Sequence, residues 1–394
     1  MTGTAKPKSS AIRAVNRSKL VEVLRLAGVA TREELVATTE LSRATVSSLL
    51  GELRASGLIR ECPIRDDRRS GRPVLSITLD RSAGLAIAID VGARHLGVAI
   101  GDFSRRLLAE RRVVLPRGYD PQRGTRVVLE CVAETLTETS AEQDHVMGAA
   151  ISVAAPVVPH NERTSVPGLL PSMDGKALAE EVTRTWGVPT EVENDANLGA
   201  LAESVWGEFA GAQNLLYVKL TNGVGLGIVA SGTIYRGSDG SAGEFGHITA
   251  YPGGERCWCG RRGCLGLYVG FNGIMRQLGC HPGQHQVADL LAADKAGNTA
   301  VRAVLDRAVS ALGHGLVTLA FLFRPEAIVI GGELAALGDR FLGPLRAELA
   351  GIAFGAPIAL GVSSLGDRAS ILGAHALILA ETTRFADRSA VPAG

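Results

Sequence analysis

The chain has 394 residues, of which 46% are hydrophobic and 21% charged, and a formal net charge of +1; that is enough apolar surface for more than one core and excludes a disordered or uniformly basic chain. No charged segment followed by an apolar run opens it, and no unbroken apolar stretch reaches the ~18 residues of a membrane span, so the expectation is a cytoplasmic protein without a membrane partner. The near-neutral charge averages two unlike regions: residues 1–80 carry 14 Lys/Arg against 9 Asp/Glu, and the remainder 27 against 31, a basic head on a mildly acidic body.

Residues 1–11, small and polar with Lys6 and Lys8, read as a mobile arm, with structure expected from about Asn16. Leu20, Val23, Leu24 and Ala27 recur at helical spacing and Gly28 can stop that helix. Thr31 followed by Glu34 forms a capping-box pattern for a second short helix. A third helix is marked by Ser42 as N-cap, by Leu41 and Val46 at the staple positions, and by Val46, Leu49, Leu50 and Leu53 on one face before Gly57. Its other face offers Arg43, Thr45, Ser47 and Ser48 beside Ala44 and Gly51. Small and hydroxylated residues let a helix press into a major groove, where Arg reads guanine and Ser or Thr binds bases or phosphates; the same face also suits a plain solvated bundle.

The following segment tilts that balance. Leu75, Ile77 and Leu79 alternate with polar residues as in a strand, behind a Ser70–Pro73 turn carrying Arg68, Arg69 and Arg72. Three helices and a two-stranded wing with an arginine tip make a winged helix-turn-helix over residues 1–80, a reader of double-stranded operator DNA whose wing reaches phosphates or a narrow minor groove. A winged helix that binds protein is the alternative.

From residue 81 the chain turns rich in Gly, Ala and Val. Residues 85–110 read as strand, turn at Gly92, strand, turn and strand, and residues 217–237 repeat the opening of that pattern, so residues 81–394 are expected to form two similar lobes around a cleft. His247, Cys257, Cys259 and Cys264 form an H-x9-C-x-C-x4-C set. One imidazole and three thiolates fill a four-coordinate structural zinc site and leave no open position for catalysis; Cys62, Cys131 and Cys280 lack such neighbours and read as ordinary residues.

The motifs in order are SGRP in the wing, IDVG at Ile89–Gly92, END at Glu193–Asp195, NGVGLG at Asn222–Gly227, GEFGH at Gly243–His247, CWCGRRGC at Cys257–Cys264 and IVIGGE at Ile328–Glu333. With them the chain resembles the ROK family of repressors, open reading frames and sugar kinases over nearly its whole length. The resemblance implies an α/β fold: an N-terminal winged helix-turn-helix followed by the two-lobed actin-like, ribonuclease-H-like ROK body, with a zinc loop at 247–264. It further implies that Asn194, Asp195, Glu244 and His247 face a sugar, His247 serving the metal as well, so that zinc stiffens one wall of the ligand site.

In the kinases of the family the residue matching Asp195 is the base that takes a proton from the sugar hydroxyl. The phosphate turns depart from the kinase pattern, with Ala93–Arg94 in place of Gly-Thr and Thr221–Gly223 in place of Gly-Thr-Gly. Two sugar contacts depart as well: Gly266 stands where an acidic acceptor is usual, and Gly168 where an asparagine is. The reading is a regulator of sugar metabolism, a repressor rather than an enzyme, with Asp195 a vestigial base, acting as a homodimer or dimer of dimers that a sugar-like effector releases from DNA. A sugar kinase that kept a DNA-binding head is the alternative, and a zinc-stiffened protein adaptor a third reading.

Overall fold

The computed structural model describes residues 7–64, 74–80, 84–116, 118–139, 145–157, 174–281 and 284–380. The chain begins with α1 (Pro7–Ala27), β1 (Val29–Thr31), α2 (Arg32–Thr39), α3 (Arg43–Ala55), β2 (Ile59–Ile64) and β3 (Val74–Leu79). The capping box is present, with Glu34 N donating to Thr31 Oγ1 and Thr31 N to Glu34 Oε2. Ser42 caps α3, which buries Val46, Leu49, Leu50 and Leu53. β3 lies between β1 and β2, antiparallel to both. One expectation needs correction, and one strand is added to those expected. α1 starts at Pro7, not near Asn16, because proline's fixed φ suits a first helical position and because Arg13 finds partners on α3. The third strand, β1, is only three residues long, below the length at which alternation can be read. The wing tip, with Arg68, Arg69 and Arg72, lies outside the described residues.

The first five-stranded sheet, in the order β6-β5-β4-β7-β8, comprises β4 (Leu85–Val91), β5 (His95–Asp102), β6 (Leu107–Val114), β7 (Val146–Val153) and β8 (Thr190–Asn194), accompanied by α4 (Pro121–Glu138) and α5 (Gly175–Trp186). After α6 (Asp195–Trp206) the second sheet, in the order β11-β10-β9-β12-β13, is built from β9 (Leu215–Leu220), β10 (Val224–Ala230) and β11 (Thr233–Ile234). Four helices follow, α7 (Gly266–Val269), α8 (Phe271–Gln277), α9 (Val287–Lys295) and α10 (Thr299–Phe323), then β12 (Ala327–Gly331), α11 (Asp339–Ala350), β13 (Ala359–Val362) and α12 (Ala369–Ala380). Each sheet contains a tight hairpin, β4–β5 closing at Val91↔Leu96 and β9–β10 at Leu220↔Val224. This is the winged helix and two-lobed α/β body that the motifs imply.

Two compact units emerge from the packing. One takes the described parts of 1–151, 177–191 and 374–394, so the winged helix packs with the first sheet; the other takes 152–176 and 192–373. In the second unit β9 is buried on both faces. Leu216, Val218 and Leu220 point into a large core with Leu305, Leu312 and Leu316 of α10, while Leu215 and Tyr217 face Ala200 of α6, as expected for a sheet covered on both sides. α10 has the length and hydropathy of a membrane span, and its apolar residues build this core.

Tyr217 occupies a slot made by two glycines: a Cβ on Gly199 would lie 2.3 Å from its ring, and one on Gly331 2.1 Å from its hydroxyl. Below it Glu203 of α6 is 1% exposed. Burial pushes the Glu203 carboxyl above the usual carboxylate range, opposed by Ser363 and reinforced by Glu208. A carboxyl whose folded-state pKa exceeds its unfolded one costs no stability in acid, and the cost grows as pH rises above the unfolded value. Glu203→Gln is therefore expected to stabilise the fold by about 1 kcal/mol at pH 8 and by less at pH 5; urea denaturation at the two pH values checks this.

Candidate functional site

The head presents the face expected of a reading helix. Arg43, Ser47 and Ser48 of α3 are exposed and Thr45 is half-buried. Two of the hydroxyls are already engaged: Thr45 Oγ1 lies 2.8 Å from the capping Ser42 Oγ, and Ser48 Oγ accepts from Arg13 Nη2 at 2.8 Å. Arg13 also pairs with Glu52. The Arg13 guanidinium thus lies beside Ser48 on the exposed face of α3, shared with the Glu52 carboxylate. Arg13 lies between the arm expected at residues 1–11 and the structure expected from about Asn16, so the sequence reading assigns it no role; its helical continuity with Leu20 is the available signal.

In the second unit, the END motif is a chain turn with a purpose for each residue. Glu193, 4% exposed, accepts from Asn194 N at 2.8 Å and Asn197 Nδ2 at 2.9 Å through Oε1, and from Arg236 Nε at 2.5 Å through Oε2. Asn194 is the N-cap of α6: its Oδ1 accepts from Ala196 N at 2.9 Å and Asn197 N at 3.2 Å, and its Nδ2 donates to Ala155 O at 3.1 Å. Thus the amide expected to meet a sugar holds the helix start. Asp195 follows as the first residue of α6, where the helix dipole favours a carboxylate. Lys219 Nζ donates to Asp195 Oδ2 at 2.8 Å and to Ser370 Oγ at 3.0 Å. No spacing in the sequence announced Lys219, which sits on an otherwise apolar strand.

GEFGH lies directly on β10. Gly243 has φ +94°, and a Cβ there would fall 2.1 Å from Leu226 O, so only glycine lets the loop approach so closely. Glu244 is raised above the usual carboxylate range by burial and by Asp195, which places these two carboxylates in one neighbourhood. His247 Nε2 faces Glu244 Oε2 at 3.9 Å, and its Nδ1 lies 3.5 Å from Cys257 Sγ.

Cys259 Sγ and Cys264 Sγ are also 3.5 Å apart, and the four ligand atoms of His247, Cys257, Cys259 and Cys264 all lie within 4.8 Å of one another. Bonds of ~2.3 Å to sulfur and ~2.0 Å to nitrogen in a tetrahedron require ligand separations of this size. The chemistry fits as well. Burial lowers the His247 pKa and keeps the imidazole neutral, whereas burial and the neighbouring sulfurs push the Cys264 thiol up to about 12, so a cation is needed to ionise it. Gly263, with φ +71° and a Cβ position 1.7 Å from Tyr251 O, closes the loop.

The first hairpin differs from a phosphate cradle. Asp90 of β4, buried, lies 2.8 Å through Oδ2 from His95 Nε2, and the His95 ring covers Gly92, where a Cβ would be 2.2 Å away. Arg94 is exposed at the turn. Gly168 lies outside the described residues.

A winged-helix DNA-binding head on a two-lobed α/β body of the sugar-kinase type, with a Cys3His loop beside paired carboxylates, is the class these features define. The ROK family matches residues 86–381 and the MarR family residues 20–70, and the chain belongs to the ROK family. The xylose repressor of Bacillus subtilis is 24% identical over 93% of this chain and 96% of its own length. The glucokinase of Thermotoga maritima is 27% identical over 74% of this chain and 96% of its own. Among solved structures, a ROK family transcriptional regulator homologous to the E. coli MLC protein superposes with a TM-score of 0.77 at 24% identity, covering 95% of this chain and 97% of that one.

Because both Asn194 side-chain groups are spent on α6 and Ala155, Asn194→Ala is expected to cost about 1–2 kcal/mol of stability in the absence of any ligand. Equilibrium denaturation of the ligand-free variant is the measurement; unchanged stability would return the side chain to a ligand-only role.

Proposed function

We propose that this chain is a transcriptional repressor of sugar metabolism that binds operator DNA through its winged helix and a sugar through the Asp195–Glu244 neighbourhood, without catalysing a reaction. The observation that carries the reading is the extent of the matches: the repressor aligns through the head, whereas the glucokinase, nearly whole itself, spans 74% of the chain. Two local features support the absence of turnover. One oxygen of Asp195, the candidate base, is occupied by Lys219, and the Asp90 carboxylate is engaged by His95. The Lys219 ammonium competes with a substrate proton for the Asp195 carboxylate.

In this reading Arg43, Arg13, Ser47 and the wing arginines Arg68, Arg69 and Arg72 meet the duplex, and a homodimer sets two heads on half-sites about one DNA turn apart. The sugar acts by binding the DNA-free form better than the DNA-bound form, and the protein works in the cytoplasm. The cage of His247, Cys257, Cys259 and Cys264 holds structural zinc. Zinc there fixes His247, whose other nitrogen faces Glu244, so the metal orients one wall of the sugar site.

Binding of the purified protein to the duplex upstream of its own gene, measured by anisotropy across a salt series with and without D-xylose or D-glucose, tests the reading. Salt-dependent binding is expected; no binding to any duplex at low salt would sink the proposal, and ATP-dependent phosphorylation of either sugar would favour the kinase alternative, which the glucokinase relative keeps in view. Arg43→Ala is expected to weaken specific binding by ~1–3 kcal/mol, while Arg72→Ala should lower affinity and reduce its dependence on A/T-rich flanks. Cys259→Ser is expected to lose the metal, read by elemental analysis as a fall from one zinc per chain, with a lower Tm; a metal-free wild type of equal stability would contradict the scaffold role.

A further inference from the structure

α12 crosses the division between the two compact units, with Ala369–Gly373 in the second and Ala374–Ala380 in the first. Its first turn is tied to the candidate sugar site. Ser370 Oγ accepts from Lys219 Nζ at 3.0 Å and donates to Asp195 O at 3.4 Å, and Lys219 in turn holds Asp195 Oδ2. Three residues on, Gly373 lies so close to α6 that a Cβ would be 1.9 Å from Leu198 O. The contact leaves α12 no freedom to slide without moving the helix that begins at Asp195.

The other end of the same helix is tied to the DNA-binding head. Leu379 O accepts from Arg25 Nη2 of α1 at 3.1 Å. Arg25 Nε reaches Phe103 O at 3.3 Å, and its guanidinium stacks over the Phe103 ring at 4.8 Å. One turn away on α1, Glu22 receives a fork from Arg105, at 2.7 and 2.8 Å. Arg105 stands in the β5–β6 turn with φ 71°, a left-handed conformation that a non-glycine residue adopts only where its surroundings hold it. On the same part of α12, His375 is fully buried against Gly101, where a Cβ would be 2.3 Å from its ring. The charged groups around it are Arg25, Arg105 and Asp102. Burial lowers His375 to about 4, so at neutral pH it adds no further positive charge to those of Arg25, which burial lowers only to about 10, and Arg105.

We infer that α12 is the coupling element between the sugar site and the DNA-binding head, with Lys219–Ser370 as its input contact and Leu379–Arg25 as its output contact. The two contacts are nine residues apart on one continuous helix, roughly 13 Å along its axis. The Glu22–Arg105 fork and the Arg25 contacts make α1 part of the first unit's packing, so a displacement of α12 is delivered to the base of the head and is not lost in a loose linker. The role as transmitter of a sugar signal rests on the regulator reading above; the mechanical coupling itself does not. Coupling of this kind is reciprocal.

Hydrogen–deuterium exchange on the full-length, ligand-free protein tests it without sugar or DNA. Lys219→Met removes the input contact and is expected to speed exchange of the amides at residues 24–28, the end of α1, by about tenfold; Ser370→Ala should act in the same direction. In reverse, Arg25→Lys keeps the charge but loses the guanidinium fork, and should speed exchange at Ala196 and Asn197, the first turn of α6. Leu290→Ala, a core truncation away from α12, serves as the control for general destabilisation. Unchanged far-end exchange in the Lys219 and Arg25 variants, or an equal response in the Leu290 control, would overturn the coupling. Expected exchange in a protein that bound no duplex would leave the coupling standing and remove the regulator reading.

Discussion

The ion pair of Lys219 with Asp195 organises the second unit. β9 is an apolar strand covered on both faces, and a lysine in it bears a desolvation cost unless its ammonium is satisfied. Asp195 and Ser370 satisfy it, and in doing so they fix the start of α6 and the start of α12 to the same strand. Glu193 and Asn194 complete the arrangement by satisfying the free amides at the α6 N-terminus. A carboxylate at this point is thus held in one geometry before any ligand arrives, which lowers the ordering cost of binding.

Glu244 is near both the Cys3His loop and that ion pair. His247 Nε2 lies 3.9 Å from its carboxylate, and the Asp195 charge acts on it as well. Burial and the Asp195 charge both favour the protonated form of Glu244, in which its carboxyl can donate a hydrogen bond. The loss of an acidic side chain at Gly266 fits this crowding: a Cβ there would already be 3.3 Å from Gly246 O of the GEFGH loop.

Local features were legible in the sequence and long-range ones were not, for a physical reason. The capping box, the Ser42 cap, the apolar face of α3, both hairpins and the Cys3His spacing each depend on residues within about one element of each other, so their pattern survives in one dimension. The partners of Arg13, Lys219 and Arg25 lie 35, 24 and 354 residues away, and no periodicity encodes a pairing of that kind. Asp90 and His95 are five residues apart, yet their contact also escaped notice, because it depends on a hairpin closing tightly enough to turn the imidazole back over Gly92. The arm expected at residues 1–11 failed from residue 7 for a related reason: polar composition argued for disorder, and the tertiary contacts of Arg13 on α3 reward helix instead.

A phosphotransferase fold is well suited to become a sensor. A kinase must bind its transition state more tightly than its substrate, and it spends binding energy on closing around the reacting groups. If the base is tied to a lysine and the phosphate turn to an imidazole, the same ground-state contacts remain but no reaction consumes the ligand. The difference in affinity between two conformations is then available to shift an equilibrium. The head is joined to the first unit through part-buried contacts of Arg25 and the Arg105–Glu22 fork, which in the regulator reading give that shift a second readout. In the regulator reading proposed above, the response is carried by the contacts at the two ends of α12 and not by the rate of a chemical step.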